Sequence, residues 1–128
     1  MSVYRIESVV DSPRRLSQAV IQITDMLNLY RAELARILGL QCGDIGSLAS
    51  GRKLIDPDTR QWRSAQLLVA LYNRLYDRFD GDGPSMCHWL RADNPGIGVT
   101  PLLAMVDHGQ LENVERLLVT GHIRQPKG

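Results

Sequence analysis

The sequence predicts an all-α protein, and three observations lead there. Apolar residues recur three and four positions apart through each long stretch, as one face of a helix requires. A capping residue followed by proline occurs at Ser12-Pro13, Asp56-Pro57 and Thr100-Pro101 among other places, and this pairing starts helices. Glycine-bearing turns at Gly39, Gly81 to Gly83, Gly96 to Gly98 and Gly109 then separate the stretches at lengths suited to helix-helix corners.

Residues 1–15 form an N-terminal arm. Tyr4, Ile6 and Val9-Val10 are only weakly patterned, which leaves open an extended segment that pairs with another copy or a segment with no order. Ser12 then reads as an N-cap, and Leu16, Val20, Ile23 and Leu27 fall on one helical face. Within Arg31 to Leu48, Leu34 and Leu38 lie four apart and Ala35 is small where a second helix must pass close. Gly39 makes a turn, Leu40 points inward, and Ile45 and Leu48 line a second short helix. Two helices meeting steeply across a short turn need this order of residues. YRAELARILGLQCGDIGSLASGR is similar to the helix-turn-helix of the phage-repressor-like (Xre) group. An αα corner without a nucleic-acid role satisfies the same spacing, because spacing reports packing rather than contact with DNA.

If the second helix reads DNA, its offer is small. Gln41 and Ser47 can donate or accept hydrogen bonds, Arg31, Arg52 and Lys53 stand where phosphates could be met, and Asp44 carries the wrong sign. Gly43 and Gly46 bring no side chain, and each costs about 1 kcal/mol of helix propensity relative to alanine. Readout by one copy is expected to be weak, so operator binding calls for a homodimer.

Asp56 as N-cap, Pro57 at the first position and Asp58 in the first turn predict a long helix over residues 57–79, roughly 34 Å at 1.5 Å per residue. Trp62, Ala65, Val69, Tyr72, Tyr76 and Phe79 make one apolar face; Leu68, Leu71 and Leu75 line a second beside it. Such a wide stripe suits a central helix packed on both neighbouring units. Asp80-Gly81-Asp82-Gly83-Pro84 ends it.

The last third reads as the end of one helix through Trp89-Leu90, a tight loop over Asn94-Pro95-Gly96-Ile97-Gly98, and a helix opened by Thr100 and Pro101. Gly109 closes that helix, and Leu111, Val114, Leu117 and Leu118 stripe a last one ending at Gly121. Helices of two or three turns are not stable alone, so they must dock on something larger.

Composition bounds the function. At 128 residues, 44% of them hydrophobic, the chain suffices for one ordinary core and not two. Net charge is +1, and residues 1–82 carry eleven basic and ten acidic groups; nucleic-acid binding by bulk charge is not expected. Cys42 and Cys87 are the only cysteines. Without an apolar leader or a bilayer-length apolar run, the expectation is a cytoplasmic protein with free thiols and no membrane partner. His88, His108 and His122 are not spaced as a metal set with either cysteine, and neither a phosphate loop nor a nucleophile motif occurs. No enzymatic activity, metal or cofactor is expected.

In order, a helix-turn-helix, a long aliphatic helix ending in Tyr-Asp-Arg-Phe-Asp-Gly-Asp, then WLRADNP, GVTPL, a glycine and VERLL resemble antitoxins of the Xre/MbcA/ParS group over residues 16 to 121. The resemblance implies a helix-turn-helix region with its connecting helix over residues 16–82, a toxin-binding domain over 83–121 and a tail over 122–128. It further implies that the chain neutralises a cognate toxin, of the RES type that degrades NAD or an ADP-ribosylating relative, and represses its own operon. Trp89, Leu90, Asn94, Pro95, Thr100 and Pro101 are the matching positions expected to bind the partner, with Arg124 of the tail reaching into an anionic or nucleotide-binding pocket. The bland reading of the same residues stays open: Trp89 as a plug between helices, Thr100 and Pro101 as helix-start chemistry, and Asn94 as a turn former. An orphan DNA-binding regulator and a protein-protein adaptor without DNA binding are the alternative functions. The loop is one residue shorter between Asn-Pro and Thr-Pro than is usual in the group.

Overall fold

Ser12 and Pro13 open the first helix: Ser12 Oγ accepts the Arg15 N–H at 3.2 Å, and α1 runs Pro13–Met26. The computed structural model describes residues 3–6 and 12–120. Within them the fold is all-α, with seven helices and no strand. After α1 come α2 (Arg31–Leu38), α3 (Cys42–Ser50), α4 (Arg60–Arg78), α5 (Gly83–Arg91), α6 (Pro101–Asp107) and α7 (Leu111–Thr120). None is long and apolar enough to cross a membrane.

Leu16, Val20, Ile23 and Leu27 all face inward from α1, as their spacing requires. α2 ends at Gly39, whose φ of 75° is left-handed, a region glycine enters without Cβ strain. Leu34, Ala35, Leu38, Ile45 and Leu48 are buried, and Leu40 is packed at the margin of the same core.

The central helix is shorter than the residue pattern suggests. Asp56 does not cap it. Its Oδ1 instead accepts the Asp58 N–H at 3.0 Å and its carbonyl accepts the Thr59 hydroxyl at 2.6 Å, so Asp56 to Thr59 is a turn. An aspartate bonded two residues ahead competes with helix, and this one wins. Thr59 takes over as N-cap, accepting the Trp62 N–H at 3.3 Å, and α4 spans 19 residues, roughly 28 Å. At its far end the Gly81 N–H donates to the Tyr76 carbonyl at 2.9 Å, with Asp80 and Gly81 both at positive φ. That is a Schellman closure, which satisfies carbonyls the helix end would otherwise leave unpaired.

Leu68, Leu71, Tyr72 and Leu75 of α4 are fully buried, while Trp62, Tyr76 and Phe79 are half-buried at the edges. Burial of each such aliphatic side chain contributes about 1.5–3 kcal/mol. α4 packs on α1 and α2 from the N-terminal unit and on α5 and α7 from the C-terminal one. It does not separate the units completely. α2 and α6 also touch directly, where Arg36 bonds the Val106 carbonyl at 3.3 Å and pairs with Asp107 at 3.0 Å. One apolar cluster therefore runs from Leu16 to Leu118 across the turn at Asp80–Gly83.

Residues 3–6 of the arm lie on α4 of their own chain. Asn73 reads Ile6 on both sides, accepting its N–H at 3.0 Å and donating to its carbonyl at 2.8 Å. Tyr72 donates its hydroxyl to the Tyr4 carbonyl at 2.6 Å, and Arg5 grips Asp77 through two bonds of 3.1 and 2.9 Å. Ile6 is buried as a result. Val9 and Val10 of the expected arm, and Gly121 at the expected end of the last helix, lie outside the described residues.

Candidate nucleic-acid and partner interfaces

The turn between α2 and α3 is held by the Leu40 N–H on the Ala35 carbonyl at 2.8 Å. This fixes α3 with Ile45 and Leu48 inward and leaves Cys42, Gly43, Ala49 and Ser50 exposed. Gln41 is its N-cap. Asp44 does not present a bare charge: Oδ2 accepts the Gln41 N–H at 3.2 Å, and Oδ1 pairs with Lys53 Nζ at 2.8 Å. The Lys53 bond first, and the Gln41 N–H second, hold the Asp44 carboxyl below the usual carboxylate range.

The same pair removes Lys53 from the free cations expected to meet phosphate. Arg52 and Arg31 differ from it. The Ser47 carbonyl takes the backbone N–H groups of Arg52 and Lys53 at 3.0 and 3.2 Å, which turns the chain sharply after α3. Arg52 Nε then rests on Ser50 Oγ at 3.1 Å. Arg31 lies across α3, its Nη1 3.6 Å from where a Cβ on Gly46 would be. Ser47 itself is half-buried.

On the C-terminal side the expected partner residues separate into two groups. Leu90 and Pro101 are buried, so they pack the core and cannot meet a partner without unfolding. Asn94 is 8% exposed and organises the loop after α5. Its N–H donates to the Val99 carbonyl at 3.2 Å, its carbonyl accepts Ile97 and Gly98 at 2.9 and 2.8 Å, and its side chain accepts the Gly96 N–H at 3.1 Å. The turn-former reading of Asn94 is the one its bonds support. Thr100 Oγ1 is likewise engaged, capping α6 through the Leu103 N–H at 3.0 Å.

What the loop leaves accessible is Pro95, exposed, with Trp89, Ile97, Val99 and Thr100 half-buried, and Leu103 at 38% on the outer side of α6. Ile97, Val99 and Leu103 were not among the expected partner residues. Their signal was present in the sequence as apolar side chains beside turn residues, where a loop ordinarily carries polar ones. Arg124 lies outside the described residues.

Among the described residues no three His, Cys, Asp or Glu side chains converge as a metal site requires. Cys42 is exposed and Cys87 half-buried, both as free thiols; burial pushes the Cys87 thiol up. No family model matches the chain, and no curated protein does.

Proposed function

We propose that this chain is an antitoxin: it binds and neutralises a partner toxin, of the RES type or an ADP-ribosylating relative, through the loop and helix that follow α5. The N-terminal helix-turn-helix then binds operator DNA as a homodimer. The observation that carries the partner-binding half is the loop locked by Asn94. Its backbone groups are satisfied internally, yet it leaves Pro95 exposed and Ile97 and Val99 half-buried at the edge of the core. A pre-organised loop that leaves apolar side chains partly accessible binds with little ordering cost. Trp89 at its base adds an aromatic anchor of the kind that dominates interface energies.

The test is co-expression with the product of the neighbouring gene. Rescue from its toxicity and co-purification are expected, and Pro95→Asp combined with Leu103→Asp, both at exposed positions, should abolish both while leaving the thermal melt unchanged. Failure of rescue and co-purification by the unaltered chain would overturn the proposal. A DNA-binding regulator without a toxin is the second reading, favoured by Arg31 across α3; it gives an operator shift and no co-purifying partner.

A further inference from the structure

Positive charge is not evenly satisfied. In the C-terminal half, Arg63 and Arg116 face Glu112, Arg74 pairs with Glu115 and Arg91 with Glu33. From residue 12 to 60, Arg14, Arg15, Arg31, Arg52 and Arg60 have no carboxylate partner among the described residues. Near-neutral overall charge therefore hides a local excess around the helix-turn-helix.

Arg14 lines a cleft, and Arg52 is bonded to Ser50 of its wall. The first turn of α1 and the end of α3 face each other across a cleft of about 490 Å³ that Arg14, Gln18, Ser50 and Gly51 help to line, with no carboxylate among its walls. Ser17 closes the floor by accepting the Ile55 N–H at 2.9 Å. Arg52 is tethered at the rim through Ser50, and the space beside Gly51 is open. Arg31 of α2 adds a further guanidinium over the middle of α3, beside Gly46. Guanidiniums distributed along a helix suit a repeating chain of phosphates better than a single anion, and the small outward residues of α3 let its backbone approach closely.

We infer that the α1–α3 cleft seats the sugar-phosphate backbone of duplex DNA, with Arg14 and Arg52 on phosphates, Gln18 as a further donor, and Lys53 taking no part. The inference rests on the DNA-binding half of the proposed function and is independent of the toxin half. It adds Arg14 of α1 to the phosphate contact expected at Arg52 and drops Lys53, which Asp44 holds.

Fluorescence anisotropy of the full chain with a labelled random-sequence DNA duplex, over a salt series, tests it. Arg14→Ala with Arg52→Ala should weaken binding roughly tenfold at about 50 mM salt and reduce the salt slope by about 1.8, the contribution of two phosphates. Arg14→Lys with Arg52→Lys should keep the slope, and Lys53→Ala should change affinity by less than about twofold. Both arginines are exposed, and unchanged circular-dichroism melts exclude misfolding. Retention of affinity and slope by the double alanine variant, or no duplex binding by the unaltered chain, overturns the inference. So does binding of single-stranded RNA or phosphatidylserine vesicles in preference to duplex. Toxin rescue by the double alanine variant separates the two halves: loss of DNA with rescue intact leaves the antitoxin proposal standing.

Discussion

Glu33 and Arg91 join the start of α2 to the end of α5 through a two-pronged contact. Arg91 Nη2 is 3.0 Å from Oε1 and Nη1 is 3.3 Å from Oε2, while Oε1 also accepts the Tyr30 N–H at 2.8 Å. The same guanidinium bonds the Asn28 carbonyl at 3.0 Å and lies 5.7 Å from the Tyr30 ring centre. One carboxylate thus caps a helix of the N-terminal unit and holds the C-terminal unit against it. Glu33→Ala should cost about 1–2 kcal/mol in urea unfolding, combining a lost cap with a lost bidentate pair. A double-mutant cycle with Arg91→Ala should return a coupling of about 1 kcal/mol; additive single effects would show that only the cap matters.

The arm gives a prediction with a pH signature. Tyr72 is fully buried, and burial pushes its phenol from 10.0 up to about 12. A phenol with a raised folded pKa binds its proton more tightly in the native state. Its contribution is intact below pH 10.0, and it is lost as pH rises toward about 12. Tyr72→Phe should cost about 1 kcal/mol at neutral pH by leaving the Tyr4 carbonyl unbonded, and it should flatten the fall in stability over that alkaline window. An unaltered alkaline transition in the variant would assign the loss to another group.

Where local chemistry was decisive, the sequence was legible. Ser12 and Thr100 cap the helices they precede, Gly39 makes the left-handed turn, and the inward residues of α1 to α4 follow from spacing. Asp56 deceived because an N-cap and an Asx turn use the same residue and the same Asp58 N–H; whether the residues that follow are helical distinguishes them, and here the helix waits until Arg60. The candidate sites were less legible because accessibility is a tertiary property. Leu90 and Asn94 look like loop-end recognition residues in sequence and are internal in space, and nothing local to Lys53 announces that its side chain reaches back to Asp44. The pairing of Asn73 with the Ile6 backbone spans 67 positions, beyond any periodicity.

Gly81 provides a local test of the corner between α4 and α5. Its φ is 76°, and a Cβ there would stand 2.9 Å from Tyr76 Cζ. Gly81→Ala should cost about 1–2 kcal/mol from left-handed strain, with the Tyr76 ring displaced, seen as a change in near-ultraviolet circular dichroism. A variant as stable as the parent, with the near-ultraviolet signal retained, would mean that the chain leaves α4 without the left-handed residue.

Asn94→Ala tests whether the loop before α6 is held from inside. The side chain is buried and accepts the Gly96 N–H, so its removal should cost about 1–2 kcal/mol and raise amide exchange at Gly96 through Val99 selectively. Exchange that rises equally in α1 and α4 would indicate global destabilisation instead, and the loop would lose its claim to be a locked unit.

Asp44 provides the most discriminating change on the nucleic-acid side. Asp44→Asn keeps an oxygen for the Gln41 N–H but releases Lys53, so the protein gains one free cation beside α3. Affinity for duplex DNA should rise, with the salt slope steeper by about 1. The unaltered protein should imitate this change only in acid. Its carboxyl titrates below 3.8, and a depressed folded pKa means that the pairing is present above the unfolded value and lost as pH falls through the folded one. Binding by the parent should therefore show no Asp44-dependent rise around neutral pH, whereas the asparagine variant binds more tightly there. If the variant and the parent bind alike at neutral pH, Lys53 is too far from the bound backbone to matter. The Arg14–Arg52 cleft would then have to account for the phosphate contacts at that end of α3.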